Sequence, residues 1–171
     1  MNIVRELLRE HSGAMRDRVV AYVGSNPTRF TELANVFLLG PYRVTQRASW
    51  PLSYCVERYP ALVKPHLKLV VSNLSNEEIH DSVKRNTVRL LQFIEIPKSL
   101  QGPVSNVCFL FLTNPKYPIA IKVYSMTVLS NIARNQPEIG RELRLIIEDQ
   151  LPYGSAGFRS RATKVLKCLS L

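Results

Sequence analysis

Arg43, Arg47, Trp50 and Tyr54 stand at i, i+4, i+7 and i+11, a spacing that puts all four on one stripe of an α-helix. Arg85 and Arg89 form a second i, i+4 pair further along the chain. A guanidinium donates in a planar fork that matches phosphate oxygens, and an exposed ring can stack on an unpaired base. The chemistry these types suggest is recognition of a polyanion. A second reading stays open beside it. Trp50 and Tyr54 can instead wedge between neighbouring elements, with the arginines as a solvated face, because rings in helices pack more often than they serve as ligand platforms.

Bond-breaking chemistry needs constellations that this sequence lacks. His11, His66 and His80 are scattered without paired spacing, so no metal and no cofactor is expected. Tyr153-Gly154-Ser155-Ala156-Gly157 reads as a turn before a helix, not as a nucleophile elbow. Asp81 falls in the first turn of a predicted helix, where a carboxylate most economically serves the helix dipole. Cys55, Cys108 and Cys168 form no CxxC pair, and their odd number argues against a disulfide framework. They lie in apolar helical patterns and are expected to be small buried hydrophobes in a reducing, cytoplasmic setting.

A chain of 171 residues can bury a substantial core, and 46% hydrophobic against 21% charged residues is a globular rather than a disordered balance. Its formal net charge of +10 favours polyanionic partners such as nucleic acid. Met1 to Glu10 has no apolar signal-peptide core. No run approaches the roughly 18 apolar residues of a spanning helix, so no membrane role is expected.

The elements that must hold these side chains repeat. Gln46-Arg47-Ala48-Ser49, Lys84-Arg85-Asn86-Thr87, Lys122-Val123-Tyr124-Ser125 and Ser160-Arg161-Ala162-Thr163 are successively offset by 38 residues. Leu52, Leu90, Val128 and Leu166 keep the same offset, as do Leu33, Val71, Phe109 and Ile147, and Pro27, Pro65 and Pro103. Such a period marks stacked supersecondary units, since one unit cannot bury its apolar face alone. In the second unit Leu67, Val70, Val71 and Leu74 share one helical face behind Pro65, read here as a first-turn proline. The helix after it sets Val83, Thr87, Leu90, Leu91 and Ile94 against Lys84, Arg85, Arg89 and Gln92. Prolines otherwise punctuate boundaries; Pro51 alone falls inside a helix and is expected to kink it. Helices are predicted near 2–11, 14–23, 28–39, 42–58, 62–75, 79–95, 99–113, 118–134, 138–150 and 156–169, with no strand signal.

This pattern resembles a HEAT-repeat (armadillo-like) α-solenoid. In that family a short turn follows an outer helix, and the inner helix opens with a Val-Arg-like pair. A small residue follows three positions after the basic one, and a Leu three after that. Here Val83-Lys84 is followed by Thr87 and Leu90, Ile121-Lys122 by Ser125 and Val128, and Thr45-Gln46 by Ser49 and Leu52. The resemblance runs from about Asn26 to the C-terminus. It implies an all-α, right-handed α-α superhelix of about four helix pairs behind N-terminal capping helices. The chain would be a single domain, 1–171, with a cap over about 1–25 and repeats over about 26–60, 61–97, 98–136 and 137–171. Ser49, Thr87, Ser125 and Thr163 should then mark tight helix crossings. The family's acidic turn residue, six before the basic one, is present only as Glu78; Gly40, Lys116 and Gly154 hold the equivalent places.

The inner helices of this scheme, which would line a concave surface, carry nearly the whole net charge. Arg43, Arg47 and Arg58 oppose Glu57 in the first, and Lys84, Arg85 and Arg89 oppose Asp81 and Glu95 in the second. Lys122 and Arg134 are unopposed in the third, as are Arg159, Arg161, Lys164 and Lys167 in the fourth. The outer helix 138–150 is acidic by contrast, through Glu138, Glu142, Glu148 and Asp149. The expectation is a non-catalytic binding scaffold whose basic concave face takes a polyanion, either DNA, RNA or an acidic protein segment. The residues expected to carry it are Arg43, Arg47, Trp50, Tyr54, Lys84, Arg85, Arg89, Lys122 and Arg161. A protein–protein adaptor with no nucleic-acid role is one alternative. Another follows from plan alone: the chain is similar to HEAT-like bacterial DNA glycosylases that remove alkylated purines. In those, a groove carboxylate with aromatic and Arg neighbours stabilises a cationic sugar, and Asp81 or Glu57 beside Trp50 and Arg85 would be the counterpart. A monomer is expected, because one short terminal helix offers too little area for a specific interface.

Overall fold

The computed structural model describes residues 1–170, and every regular element among them is helical. The chain divides into two compact units, Met1–Ile94 and Glu95–Leu171.

In the first unit the helix starts follow from polar caps. Helices α1 (Ile3–Arg9), α2 (Gly13–Val23) and α3 (Pro27–Leu39) follow Asn2, Ser12 and Asn26, whose side chains accept from the backbone N–H three residues on. Gly24 ends α2 with φ 50°, a left-handed conformation that suits glycine and returns its N–H to the Val20 carbonyl. Helix α4 (Tyr42–Arg58) runs through the buried Pro51 without a break. The helix expected over 62–75 comes in two parts: Pro60–His66 wind as a 3-10 helix and only α5 (Leu67–Asn73) is α-helical. Pro65 therefore lies near the end of the tighter segment instead of opening the α-helix. Prolines at 60 and 65 each remove an N–H donor, which favours a short irregular turn over a full α-helical ladder. The unit closes with α6 (Asp81–Leu91).

Helix α4 is the centre of this unit. It packs against α3 and α6, and α1 and α2 also lie on it. Phe30, Leu33 and Phe37 of α3, Ala48, Leu52 and Cys55 of α4, and Leu90 and Leu91 of α6 are all buried. Each such Leu or Phe is worth about 1.5–3 kcal/mol of apolar burial, before the entropy cost of ordering it.

The second unit contains α7 (Lys98–Thr113), α8 (Ile119–Ala133), α9 (Pro137–Gln150) and α10 (Ala156–Cys168). A 3-10 turn, Leu151–Tyr153, precedes α10. Here α8 is central, contacted by α7, α9 and α10. Buried side chains come from all four helices: Ile121, Met126 and Leu129 of α8, Cys108 and Phe111 of α7, Leu143 and Ile147 of α9, and Phe158 and Ala162 of α10.

Long-range side-chain hydrogen bonds carry the repeat into three dimensions. Thr31 bonds His66, Asn86 bonds Ser49 and Arg89 bonds Ser53 in the first unit. In the second, Gln136 bonds Gln101, Gln150 bonds the Leu112 carbonyl and Arg161 bonds Thr127. Each pair is one sequence period apart to within about a helical turn, the contact range of stacked repeats. Ser49, Thr87 and Ser125 are buried, as their expected place at crossings requires. Thr163 departs from that expectation. It is exposed, because α10 buries the face formed by Phe158, Ala162 and Val165, and Thr163 points off it. Cys168 is likewise exposed at the end of α10, whereas Cys55 and Cys108 are buried; all three are free thiols.

Candidate functional site

The stripe on α4 is completed by a residue that the sequence pattern did not single out. Arg16 of α2 brings its guanidinium carbon 4.9 Å from the Trp50 ring centroid and 4.4 Å from that of Tyr54. Arg89 of α6 lies 4.2 Å from the Tyr54 centroid and 5.2 Å from that of Phe93. His11 meets Trp50 edge to face, with centroids 5.6 Å apart. Trp50 and Tyr54 are half-buried, and their π clouds already hold guanidinium partners from α2 and α6. The signal that finds Arg16 is the period itself, since Arg16 stands 38 residues before Tyr54.

The arginines and lysine expected to form one solvated patch divide into two groups. Arg47 donates to the carbonyls of Leu7 at 2.8 Å and Leu8 at 3.3 Å, satisfying acceptors at the end of α1. Arg89 donates to Ser53 Oγ and pairs with Glu57. Lys84 is only 5% exposed; its ammonium donates to the Glu77 carbonyl at 3.0 Å and lies 3.9 Å from Asp81. Arg47 ties α4 to α1, Arg89 ties α6 to α4, and Lys84 ties α6 to the loop before it. Arg43 and Arg85, in contrast, are exposed on α4 and α6 and have no ion-pair or hydrogen-bond partner among the described residues.

A cavity of about 180 Å³ opens beside Trp50, lined also by His11, Gln46, Ser82, Arg85 and Asn86. No carboxylate among the described residues lines it. Glu57 is held by Arg89, and Asp81 sits in the first turn of α6 beside Lys84. Neither carboxylate considered for glycosidic chemistry is among the residues that line this cavity. His66 bonds Thr31 Oγ1, and His80 caps α6 by accepting from the Ser82 N–H at 3.0 Å.

In the second unit Lys122 is half-buried on α8, where loss of hydration pushes its ammonium pKa down. It borders a groove of about 370 Å³ together with Asp149, Tyr153 and Phe158. Arg161 of α10 donates to Thr127 Oγ1 of α8.

Helix pairs tied one period apart, with a buried small residue on the inner helix, are the build of one repeat class. A family model for the HEAT repeat domain matches residues 3–169. The chain belongs to the HEAT-repeat family. Comparison with curated proteins and with solved structures gives no match. As a HEAT-repeat chain it is an all-α solenoid protein with the build of a protein-interaction scaffold. No helix among the described residues is long and apolar enough to cross a membrane. Its departures from the HEAT turn pattern have a steric cause at two places. A Cβ on Gly40 would lie 2.5 Å from the Val36 carbonyl oxygen, and one on Gly154 would lie 2.5 Å from Phe158 Cδ1. An acidic side chain does not fit at either turn as it stands.

Proposed function

We propose that this HEAT-repeat chain is a non-catalytic scaffold that binds a polyanion. The basic faces engaged are those of α4 and α6 in the first unit and of α8 and α10 in the second. The observation that carries the reading is the pair Arg43 and Arg85. Both are exposed, neither is spent on an internal ion pair, and the helices that bear them pack side by side. Guanidiniums without partners meet phosphate or carboxylate oxygens without first breaking a contact of their own. Arg47, Lys84 and Arg89 would then act as the frame. Trp50 and Tyr54 would bind through whatever ring surface Arg16 and Arg89 leave free, and Lys122 and Arg161 would serve the second unit. The protein would work as a monomer in the reducing cytoplasm, with its three thiols free.

Nucleic acid is the partner that +10 of net charge favours most directly. The test is a binding titration against duplex DNA, single-stranded DNA and RNA at two salt concentrations. Phosphate contacts release counterions, so affinity should fall steeply with added salt. If none of the three binds at low salt, the polyanion reading is lost and a protein-only adaptor takes its place.

A further inference from the structure

A cavity in the second unit is lined by none of the residues assigned above. It has a volume of about 590 Å³ and is bordered by the end of α8, one face of α9 and the end of α10. That volume is in the range of small-molecule sites. Gly140 opens it: a Cβ there would already stand 3.3 Å from Ala133 Cβ and 3.4 Å from Leu169 Cδ2, so a larger residue would fill the floor.

Three arginines line this space, Arg134, Arg141 and Arg144, and no carboxylate side chain of the described residues does. Arg134 and Arg141 are exposed and lack ion-pair or hydrogen-bond partners among the described residues. Arg144 is oriented from behind, donating to Ser170 Oγ at 2.9 Å and lying 3.5 Å from Glu148. Concentrated positive charge over a low-dielectric floor focuses its field into the cavity. Guanidinium forks bind phosphoryl oxygens in pairs, so three of them suit an anion of more than one charge. The floor of Ala133, Pro137 and Leu169 is apolar and suits an organic body attached to the charge. We propose that this cavity is a binding site for a small, multiply charged phosphate ester. The inference does not depend on the polyanion reading of α4 and α6.

The test uses the full chain, with ATP and inorganic pyrophosphate as probes in calorimetry. Cys168, which is exposed and lines the same cavity, supplies a local readout. ATP should bind more tightly than pyrophosphate, because only the ester can use the floor. It should also slow alkylation of Cys168 by iodoacetamide, a neutral reagent whose approach is insensitive to charge. Replacing Arg134→Gln together with Arg141→Gln should weaken ATP by about tenfold or more, the cost of losing charge-assisted hydrogen bonds. Both residues are exposed, so this variant should melt like the wild type; if it does not, Arg141→Gln alone and the alkylation rate decide. The Arg43→Glu, Arg85→Glu variant should bind ATP as the wild type does. Four outcomes would overturn the proposal: no ATP binding, equal affinity for pyrophosphate, no protection of Cys168, or equal loss in the Arg43/Arg85 variant.

Discussion

Thr87 carries a buried hydroxyl with no hydrogen-bond partner. Ser125, at the equivalent place in the next repeat, returns its hydroxyl to the Ile121 carbonyl. An unsatisfied buried hydroxyl costs about 1–3 kcal/mol, so Thr87→Val, similar in shape, should leave stability unchanged or raise it. Thr87→Leu should lower it by about 1–3 kcal/mol through overpacking of this buried site. Urea denaturation of both variants checks the pair of signs, and a Leu variant as stable as wild type would refute a tight crossing. The thiols separate by burial in the same way. Loss of hydration pushes Cys55 and Cys108 up to about 12, so both stay protonated and unreactive at neutral pH. Native alkylation followed by mass spectrometry should modify Cys168 alone.

At the scale of the element, α1 is held by contacts that its seven residues cannot supply by themselves. Arg47 takes its last carbonyls, and Arg18 of α2 clamps Glu6 and Glu10 on either side of its end. Removing the first anchor with Arg47→Leu should free α1 and raise hydrogen exchange across Ile3–Arg9 while the core of α4 stays protected. Equal protection in variant and wild type would mean that Arg47 is dispensable there. The clamp carries a pH dependence. The hydrogen bond and charge of Arg18 hold the Glu10 carboxyl below its ordinary value of 4.5. A depressed folded pKa contributes stability that is complete above 4.5 and is lost as pH falls through the lower folded value. Exchange in α1 should therefore rise on acidification before the rest of the first unit opens. The turns are a second case. Gly40→Asp would restore the acidic residue of the HEAT pattern yet should destabilise the junction of α3 and α4, because its Cβ would meet the Val36 carbonyl.

For the whole molecule, the division of arginines into frame and free groups sets how the proposed binding should fail. Reversing Arg43→Glu with Arg85→Glu should weaken nucleic-acid binding and flatten its salt slope by about one unit per lost phosphate contact. The melting temperature should hold, since neither side chain has an internal partner. Reversing Arg47 and Arg85 instead would mix binding loss with loosening of α1, because Arg47 holds its carbonyls. Trp50→Ala separates packing from stacking. Trp50 meets His11 and Arg16 within the fold, so a large drop in stability is the expected result. Loss of single-strand binding with an unchanged melt would show instead that the ring serves a base. Light scattering at micromolar concentration should give a monomer mass.

What the sequence determined by itself was everything carried by spacing within a helix or by the period between helices. The 38-residue offset, the apolar faces around Leu52 and Leu90, and Asn or Ser before a helix start depend on positions a few residues apart or on strict recurrence. Those features recover nearly every helix and the HEAT class. They miss the 3-10 turn at Pro60–His66, where two prolines weaken the α-helical ladder. The tertiary structure alone decided what each charge and ring is for. Arg47 and Arg85 occupy the same repeat position, yet one holds α1 and the other is free. Tyr54 takes its guanidiniums from α2 and α6, on chain segments far from it in sequence. A charge finds its partner over a few ångströms across a helix interface. Such distances depend on how neighbouring repeats pack, and nothing in the pattern of a single helix records them.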